Sequence, residues 1–295
     1  MSILHIDLES RSTVELKKTG AYPYAAHETT DLWCACFAFD DGPVEVWRPG
    51  DPVPGDIAEH VMLGEPLIAH NAAFERTMWH YILGPRYGWP EPDIAQWSCT
   101  MVMCYAMGLP GALEMAAPAA GLDIAKDGAG RRLMLQMAKP RRTKDGALRW
   151  WDEPEKIARL IDYCKTDVEV ERALHKRLRP LKQSELALWH LDQRINDRGV
   201  LVDQELAVAA KAIVARAEEN LDKRISQLTN YEVTACSNRN QIVAWMALHG
   251  VKVDSISKDK IEELLEDPDL PPPVREILDI RREAAKASVA KIDAL

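Results

Sequence analysis

The chain opens with the stretch Ile3-Leu4-His5-Ile6-Asp7-Leu8-Glu9, in which apolar and polar side chains alternate. Alternation with a period of two predicts a β-strand, and residues two apart on a strand point to the same face. Asp7 and Glu9 are therefore expected to stand side by side, where two carboxylates repel each other unless a cation lies between them. A divalent metal ion with oxygen ligands would relieve this repulsion. For this motif taken alone, a solvated acidic edge strand is the alternative.

The 295 residues carry a net charge of −9, and 47% of them are hydrophobic and 28% charged, which is typical of a globular protein. The negative charge argues against a protein that coats nucleic acid non-specifically, but it is compatible with a nuclease that has an acidic metal site. The sequence has no apolar run of membrane-spanning length and no secretory signal. We therefore expect a cytosolic protein without a membrane partner.

The chain contains six cysteines. Cys34 and Cys36 lie in the apolar stretch 32–39, which predicts a buried strand. Cys99 and Cys104 have no second pair of cysteine or histidine residues at the spacing of a zinc site. Because no export signal indicates an oxidising compartment, we predict free and mostly buried thiols, with neither disulfides nor zinc.

The first half of the chain predicts an α/β fold. Short runs rich in β-branched and aromatic residues, bounded by turn residues, indicate strands. The turn Asp40-Asp41-Gly42-Pro43 predicts that the first three strands form an antiparallel meander. Beyond the first strand, the predicted strands cover residues 33–39, 44–47, 66–69 and 94–102.

A helix is predicted over residues 72–83, with Asn71 as its cap. Glu75 would lie one turn into this helix, near the carboxyl end of the preceding strand, where open α/β sheets bind ligands. The region 113–137 is also predicted to be helical.

A basic turn or loop is predicted over residues 139–146. Its cationic side chains include Lys139, Arg141 and Arg142. Two interpretations remain open for them: they contact phosphate groups of a nucleic acid, or they are simply solvated.

The clearest helix begins near Pro154, which suits a first helical turn, and Asp152 and Glu155 have the spacing of a capping box. Tyr163 and Asp167 fall together at the edge between its buried and solvent-facing sides. A polar pair on a surface helix is the alternative for these two residues taken alone. The predicted buried stripe of this helix comprises Ile157, Leu160, Ile161, Cys164 and Val168.

Considered together, the acids of these three segments could hold two divalent metal ions, Mg²⁺ or Mn²⁺, about 3.5–4 Å apart. Such a centre suits in-line displacement at phosphorus, since both ions neutralise the charge that develops there. Tyr163 would orient the attacking water through a hydrogen bond and would not bind metal. The four predicted ligands are Asp7, Glu9, Glu75 and Asp167.

Three motifs, in order, resemble those of the DEDD 3′–5′ exonucleases of the tyrosine subclass. They are Asp7-Leu8-Glu9, Asn71-Ala72-Ala73-Phe74-Glu75 and Tyr163-Cys164-Lys165-Thr166-Asp167. The closest similarity is to the proofreading domain of bacteriophage DNA polymerases of family A, the DNA polymerase I family. The stretches 68–75 and 108–114 also resemble this branch.

This resemblance covers about residues 3–180 and implies a ribonuclease-H-like fold, in which helices flank a mixed sheet. It also implies metal-dependent removal of nucleotides from the single-stranded 3′ end of DNA, with Asn71 and the basic loop contacting the strand. One departure concerns Glu75, because the second motif usually ends in Asp. The longer side chain can still reach a metal ion, directly or through water.

Residues 181–295 are predicted to form a separate, helical domain. Its order of motifs resembles the beginning of the thumb of family A polymerases, starting with Asn196-Asp197-Arg198-Gly199-Val200-Leu201-Val202-Asp203. Palm and fingers motifs are absent, so we expect no polymerisation by this chain, which would be either a fragment or one part of a split polymerase. The predicted helices cover residues 183–196, 206–228, 237–249 and 274–295.

Three hypotheses about function follow. The first is a proofreading 3′–5′ exodeoxyribonuclease of a phage polymerase, acting in the host cytoplasm, with the rest of the polymerase as the same or a separate chain. The second is a ribonuclease D-like exoribonuclease, whose helical tail would bind nucleic acid. The third is a DNA-binding module with a degenerate nuclease site, in which Glu75 in place of the usual Asp would be the cause of inactivity.

Overall fold

The computed structural model describes residues 2–123 and 127–285. These residues form two compact units, divided between Arg198 and Gly199. The part of the predicted helix 274–295 beyond residue 285 lies outside the described residues. None of the described helices combines the length and apolar character that crossing a bilayer requires.

The first unit is α/β and is built around a five-stranded mixed sheet. Its strands are β1 (Leu4–Arg11), β2 (Asp31–Phe39), β3 (Glu45–Trp47), β4 (Leu67–Ala69) and β5 (Trp97–Cys99). They lie in the order β3-β2-β1-β4-β5. β1 pairs antiparallel with β2, and β2 with β3, so the predicted meander is confirmed. β4 lies parallel to both β1 and β5.

Helices surround this sheet, and a short hairpin of β6 (Arg141–Arg142) and β7 (Leu148–Arg149) follows it. The predicted basic loop is therefore part of a hairpin. The helices of the first unit are α1 (Leu16–Thr19), α2 (Ala21–Ala26), α3 (Gly55–Met62), α4 (Ala72–Met78), α5 (Gly84–Tyr87), α6 (Thr100–Ala106), α7 (Leu113–Ala119), α8 (Gly128–Met137), α9 (Pro154–Arg177) and α10 (Gln183–Arg198).

The strand predicted over 94–102 is shorter in the structure, and both of its predicted bounds are wrong. Residues Ile94–Gln96 form a 3₁₀ turn, because the Asp93 side chain accepts a hydrogen bond from the Ala95 amide and the Gln96 side chain accepts one from the Asp93 amide. This capping box fixes a helical turn ahead of the strand. Only Trp97–Cys99 pairs with β4, and α6 begins at the next residue.

The helix predicted over 72–83 is α-helical only as far as Met78 and continues as a π-helical turn over Trp79–Leu83. Asn71 stands at the cap position, but its backbone is left-handed, with φ 71°, and its side chain makes no capping bond. The Phe74 amide bonds to the backbone oxygen of Asn71 instead. The predicted side-chain cap is therefore wrong.

The capping box predicted at Asp152 and Glu155 is also wrong. The N-cap of α9 is Glu153, without a side-chain bond, and the amides of Lys156 and Ile157 bond to its backbone oxygen. Pro154 occupies the first turn, as predicted. Likewise, the predicted helical region 113–137 is split into α7 and α8, because Gly121 takes a positive φ of 79° after the end of α7.

The apolar stripe of α9 lies against β1 and β2, as its sequence predicts. Leu160, Cys164 and Val168 are buried, and the other two predicted members are half-buried. Cys34 and Cys36 of β2 pack with Cys164 and Val168 in one cluster beneath this helix. This packing is what holds α9 over the acidic strand β1.

α10 lies in the first compact unit, which extends to Arg198. Trp189 lies in the main core of the sheet. The His190 ring lies 2.9 Å from the Trp97 carbonyl oxygen, and Arg76 of α4 pairs with Asp197 at 2.7 Å. These contacts are long-range within the unit and hold α10 in place.

The second unit is helical and has its own core. Its helices are α11 (Gln204–Leu228), α12 (Arg239–Leu248), α13 (Lys258–Glu266) and α14 (Pro272–Ala284). α13 was not predicted; the Ser257 side chain caps it by accepting a bond from the Lys260 amide. Fully buried residues of the core include Ile225, Val233, Ile242, Met246, Val274, Ile277 and Leu278.

Candidate metal centre

Strand β1 carries the first two predicted ligands. Asp7 and Glu9 share one face of the strand, and their direct partners across the antiparallel pair are Cys36 and Cys34. The register shifts just after Glu9, which marks an irregularity at the end of the acidic motif. The result is a strip in which two carboxylates face two thiols.

Helix α9 brings the third predicted ligand to this face. Asp7, Glu9 and Asp167 each offer a carboxylate oxygen, and these three oxygens lie within 4.8 Å of one another. Such a grouping could hold a metal ion, since oxygen ligands at this spacing suit Mg²⁺ or Mn²⁺. The structure thus brings together three of the four acids that the sequence analysis selected.

Glu75 is near enough to Asp7 for the charge of Asp7 to raise its pKa further, after burial, but its carboxylate is not among the three whose oxygens lie within 4.8 Å of one another. Its side chain is buried, and its Oε2 atom has no hydrogen-bond partner. Burial raises the pKa of Glu75 well above its usual value, and the charge of Asp7 raises it further. A buried carboxylate oxygen without a partner is costly unless a proton or a cation compensates it.

The electrostatics of the three converging acids also favour a cation. Burial raises the pKa of Asp7 to about 8, and the nearby charge of Asp167 adds to the rise. The pKa of Glu9 is raised as well, by burial first and by Asp7 second. Burial raises the pKa of Asp167 to about 6, and the neighbouring Tyr163 hydroxyl partly offsets this rise. A divalent ion would stabilise the charged forms of all three groups, so the donor set fits a metal.

Tyr163 stands one helical turn before Asp167. Its ring packs against Gly130 of α8, where the space of a missing side chain accommodates it. Burial and the charge of Asp167 raise the pKa of its hydroxyl, so Tyr163 is a neutral hydrogen-bonding group. Tyr163 and Asp167 also line a cavity of about 230 Å³, whose other walls come from α7, α8 and Asp127.

Several neighbours of this centre were missed by the sequence analysis. The Cys164 thiol lies 3.2 Å from Asp7 Oδ2 and 3.5 Å from the Asp7 carbonyl oxygen. Glu171 is buried and lies 2.7 Å from His5 Nδ1. Helical spacing could have found Glu171, because it lies four residues beyond Asp167, and strand alternation places His5 on the face of Asp7. The apolar stripe predicted that Cys164 is buried, but no local pattern predicted its contact with Asp7.

The predicted nucleic-acid contacts lie on exposed parts of the first unit. Asn71 is exposed at the start of α4. Lys139 pairs with Glu15 at 3.0 Å, and Arg141 pairs with Glu153 at 2.9 Å. Arg142, in the same hairpin, is exposed. Their contact with nucleic acid remains a prediction.

Comparison with known proteins shows similarity to a phage protein. No family model matches the chain. Over 308 aligned positions it is 36% identical to a protein named DNA polymerase from Bacillus phage SP02, and the alignment covers 99% of this chain and 45% of that protein. The chain therefore spans less than half the length of this relative. The similarity runs through both compact units.

Proposed function

We propose that the first unit is a metal-dependent 3′–5′ exonuclease with a ribonuclease-H-like fold, and that its substrate is the single-stranded 3′ end of DNA. The observation that carries the proposal is the convergence of Asp7, Glu9 and Asp167, with Tyr163 one turn away on the same helix. Similarity to a phage DNA polymerase supports DNA rather than RNA as the proposed substrate, and proofreading as the proposed role.

The proposed roles follow from position and charge. Asp7, Glu9 and Asp167 would hold one divalent ion, and Glu75 would contribute to a second beside Asp7. When bound, the ions supply the positive charge that activates water and stabilises charge developing at the phosphate. The neutral Tyr163 hydroxyl would orient the attacking water by a hydrogen bond.

The substrate strand would be held by groups outside the metal centre. Asn71, Lys139, Arg141 and Arg142 are the proposed contacts to the DNA backbone. Within the first unit, residues 1–180 would then form the exonuclease domain, and the part from residue 181 onward, which begins with α10, would correspond to the start of a polymerase thumb. The rest of a polymerase, in the same chain or another, would be the partner.

A defined test uses a 5′-labelled single-stranded DNA with Mg²⁺ or Mn²⁺. The expected result is stepwise shortening from the 3′ end, which chelation of the metal stops and Asp7→Asn abolishes. Asp162→Asn is the control, because Asp162 lies on α9 but is exposed to solvent. Cleavage that survives chelation, or full activity of Asp7→Asn, would overturn the proposal.

Two further outcomes of the same assay identify the alternatives. Faster trimming of an RNA of matched sequence would favour a ribonuclease D-like enzyme. Binding of the DNA without hydrolysis in the presence of any divalent ion would favour a degenerate module. Glu75→Asp would then be the first substitution to test for recovery of hydrolysis.

A further inference from the structure

Three cysteine sulfurs lie together beneath α9. Cys34 and Cys36 share one face of β2, and Cys164 reaches them from the helix. The three Sγ atoms lie within 4.8 Å of one another. All three residues are buried, and all are free thiols.

This spacing is close to that of a tetrahedral thiolate site. Bonds of about 2.3 Å from a zinc ion to its sulfur ligands require sulfurs about 3.8 Å apart. Side-chain rotations that change each sulfur–sulfur distance by at most about 1 Å would bring the three sulfurs to that distance. Three cysteines leave one position of a tetrahedron to fill.

Asp7 is placed to fill that position. Its Oδ2 atom lies 3.2 Å from the Cys164 sulfur. Carboxylate oxygen is an accepted zinc ligand beside sulfur. Asp7 therefore borders two donor sets, one made of carboxylates and one made of thiols.

We propose that Cys34, Cys36, Cys164 and Asp7 form a binding site for one thiophilic divalent cation of the Zn²⁺ and Cd²⁺ class. Binding replaces the protons of the three thiols, which are released to solvent. Mg²⁺ does not compete at this site, because hard cations prefer oxygen ligands. The apolar side chains of Val44, Val46, Ile161 and Val168 surround the sulfurs and limit the access of water.

The shared ligand has a consequence for activity, and this consequence alone rests on the proposed exonuclease function. An ion held by the three thiols and Asp7 withdraws the Asp7 carboxylate from the neighbouring oxygen-ligand centre. Zn²⁺ and Cd²⁺ should therefore inhibit hydrolysis that depends on Mg²⁺, and excess Mg²⁺ should not restore it.

The test of the site itself measures binding and not activity. The complete chain, reduced and freed of metal, is titrated with Cd²⁺ while the ultraviolet thiolate-to-cadmium charge-transfer band is recorded. One Cd²⁺ per chain is expected, and Cys36→Ser or Cys164→Ser should weaken binding by about tenfold or more. Cys99→Ser and Cys104→Ser are matched controls, since both residues are buried free cysteines outside the cluster, and should bind as the parent does.

A second measurement needs no variant and therefore does not depend on their folding. X-ray absorption at the cadmium edge of the unmodified chain should show three sulfur neighbours around the ion. Coordination by oxygen and nitrogen alone, or a charge-transfer band unchanged in Cys36→Ser and Cys164→Ser, would overturn the proposal. If the chain binds Cd²⁺ through sulfur but hydrolyses no DNA, the thiol site stands and the exonuclease function fails.

Discussion

Asp7 is the residue on which both proposals meet. It lies among buried and half-buried acids, with Cys164 in contact with its carboxylate, and its pKa is raised by burial first and by the charge of Asp167 second. A carboxylate in this position is stable in its charged form only with a cation nearby. The chemistry proposed for the first unit therefore depends on which cation neutralises Asp7.

The proposed metal ligands and the proposed water-orienting group should respond differently to substitution. Asp167→Asn is expected to weaken Mn²⁺ binding and to lower the rate of nucleotide release about a hundredfold, because a ligand charge is lost. Tyr163→Phe should lower the rate about tenfold or more and leave Mn²⁺ binding unchanged, because only the orienting hydroxyl is lost. Calorimetric titration with Mn²⁺ measures the effect on metal binding, and single-turnover hydrolysis measures the effect on the rate. Equal Mn²⁺ affinity of Asp167→Asn and the parent would contradict the assignment of Asp167 as a metal ligand.

The raised pKa values of Asp7 and Asp167 predict an unusual pH dependence of stability without metal. The folded protein holds protons on these groups that the unfolded chain releases near pH 4, so it binds more protons between about pH 4 and pH 8. The free energy of unfolding should therefore fall as the pH rises through this window. Urea denaturation in the presence of a chelator measures the fall.

Divalent cations supply the control for this prediction. Mg²⁺ or Mn²⁺ stabilises the charged carboxylates and binds the folded state, so it should reduce or reverse the loss of stability near pH 8. Asp7→Asn should also flatten the pH dependence. A chelated protein that becomes more stable between pH 5 and pH 8 would contradict the raised pKa values.

At the scale of elements, helix α8 leaves room for the Tyr163 ring because Gly130 has no side chain. A Cβ atom at Gly130 would collide with the Tyr163 ring and with the carboxylate of Asp127, which caps α8. At Gly128 of the same helix, the nearest atom to an added Cβ is the end of the Arg132 side chain, at 3.7 Å. The two glycines therefore form a matched pair.

Gly130→Ala is expected to displace the Tyr163 ring and to lower exonuclease activity by about tenfold or more, since small misplacements of a positioned group are costly. Gly128→Ala should keep the activity of the parent and should not destabilise the helix. Hydrolysis of single-stranded DNA, with circular dichroism to verify folding, measures both. Equal activity of the two variants would show that α8 does not position Tyr163.

At the scale of the whole molecule, the two units have separate cores. Eight of the nine tryptophans precede the division at Arg198/Gly199, and Trp245 is the one that follows it. Ile277 is fully buried in the second core, whereas Leu248 is 77% exposed. Separate cores predict separate responses to core mutations.

Ile277→Ala is expected to destabilise the second unit by about 2–5 kcal/mol, because it removes buried apolar volume and leaves a cavity. Leu248→Ala should change the stability by less than about 0.5 kcal/mol, because the side chain is exposed. Hydrogen exchange measured segment by segment should show faster exchange in α11–α14 for Ile277→Ala alone. Equal acceleration in the sheet of the first unit would show that the two units unfold together.

Local patterns predicted the elements well where each pattern depends on neighbouring residues only. The alternation around Asp7 predicted β1, and the apolar stripe of α9 predicted its buried side. The predictions of side-chain caps at Asn71 and Asp152 were wrong, because capping depends on backbone angles that the residue type does not determine. The 3₁₀ turn before β5 replaced part of a predicted strand for a different reason, because the capping box between Asp93 and Gln96 fixes a helical turn there.

The sequence alone determined which side chains are candidates for the proposed chemistry: the two acids of β1, and Tyr163 with Asp167 one turn apart on a helix. Only the tertiary structure decided which of them meet. The position of α9 across β1 and β2 brings Asp167 to Asp7 and Glu9, leaves Glu75 at the margin, and places Cys164 against Asp7. Periodicity arises from the geometry of adjacent residues, whereas distances between remote segments arise from how their buried faces pack, and the chain order does not contain those distances.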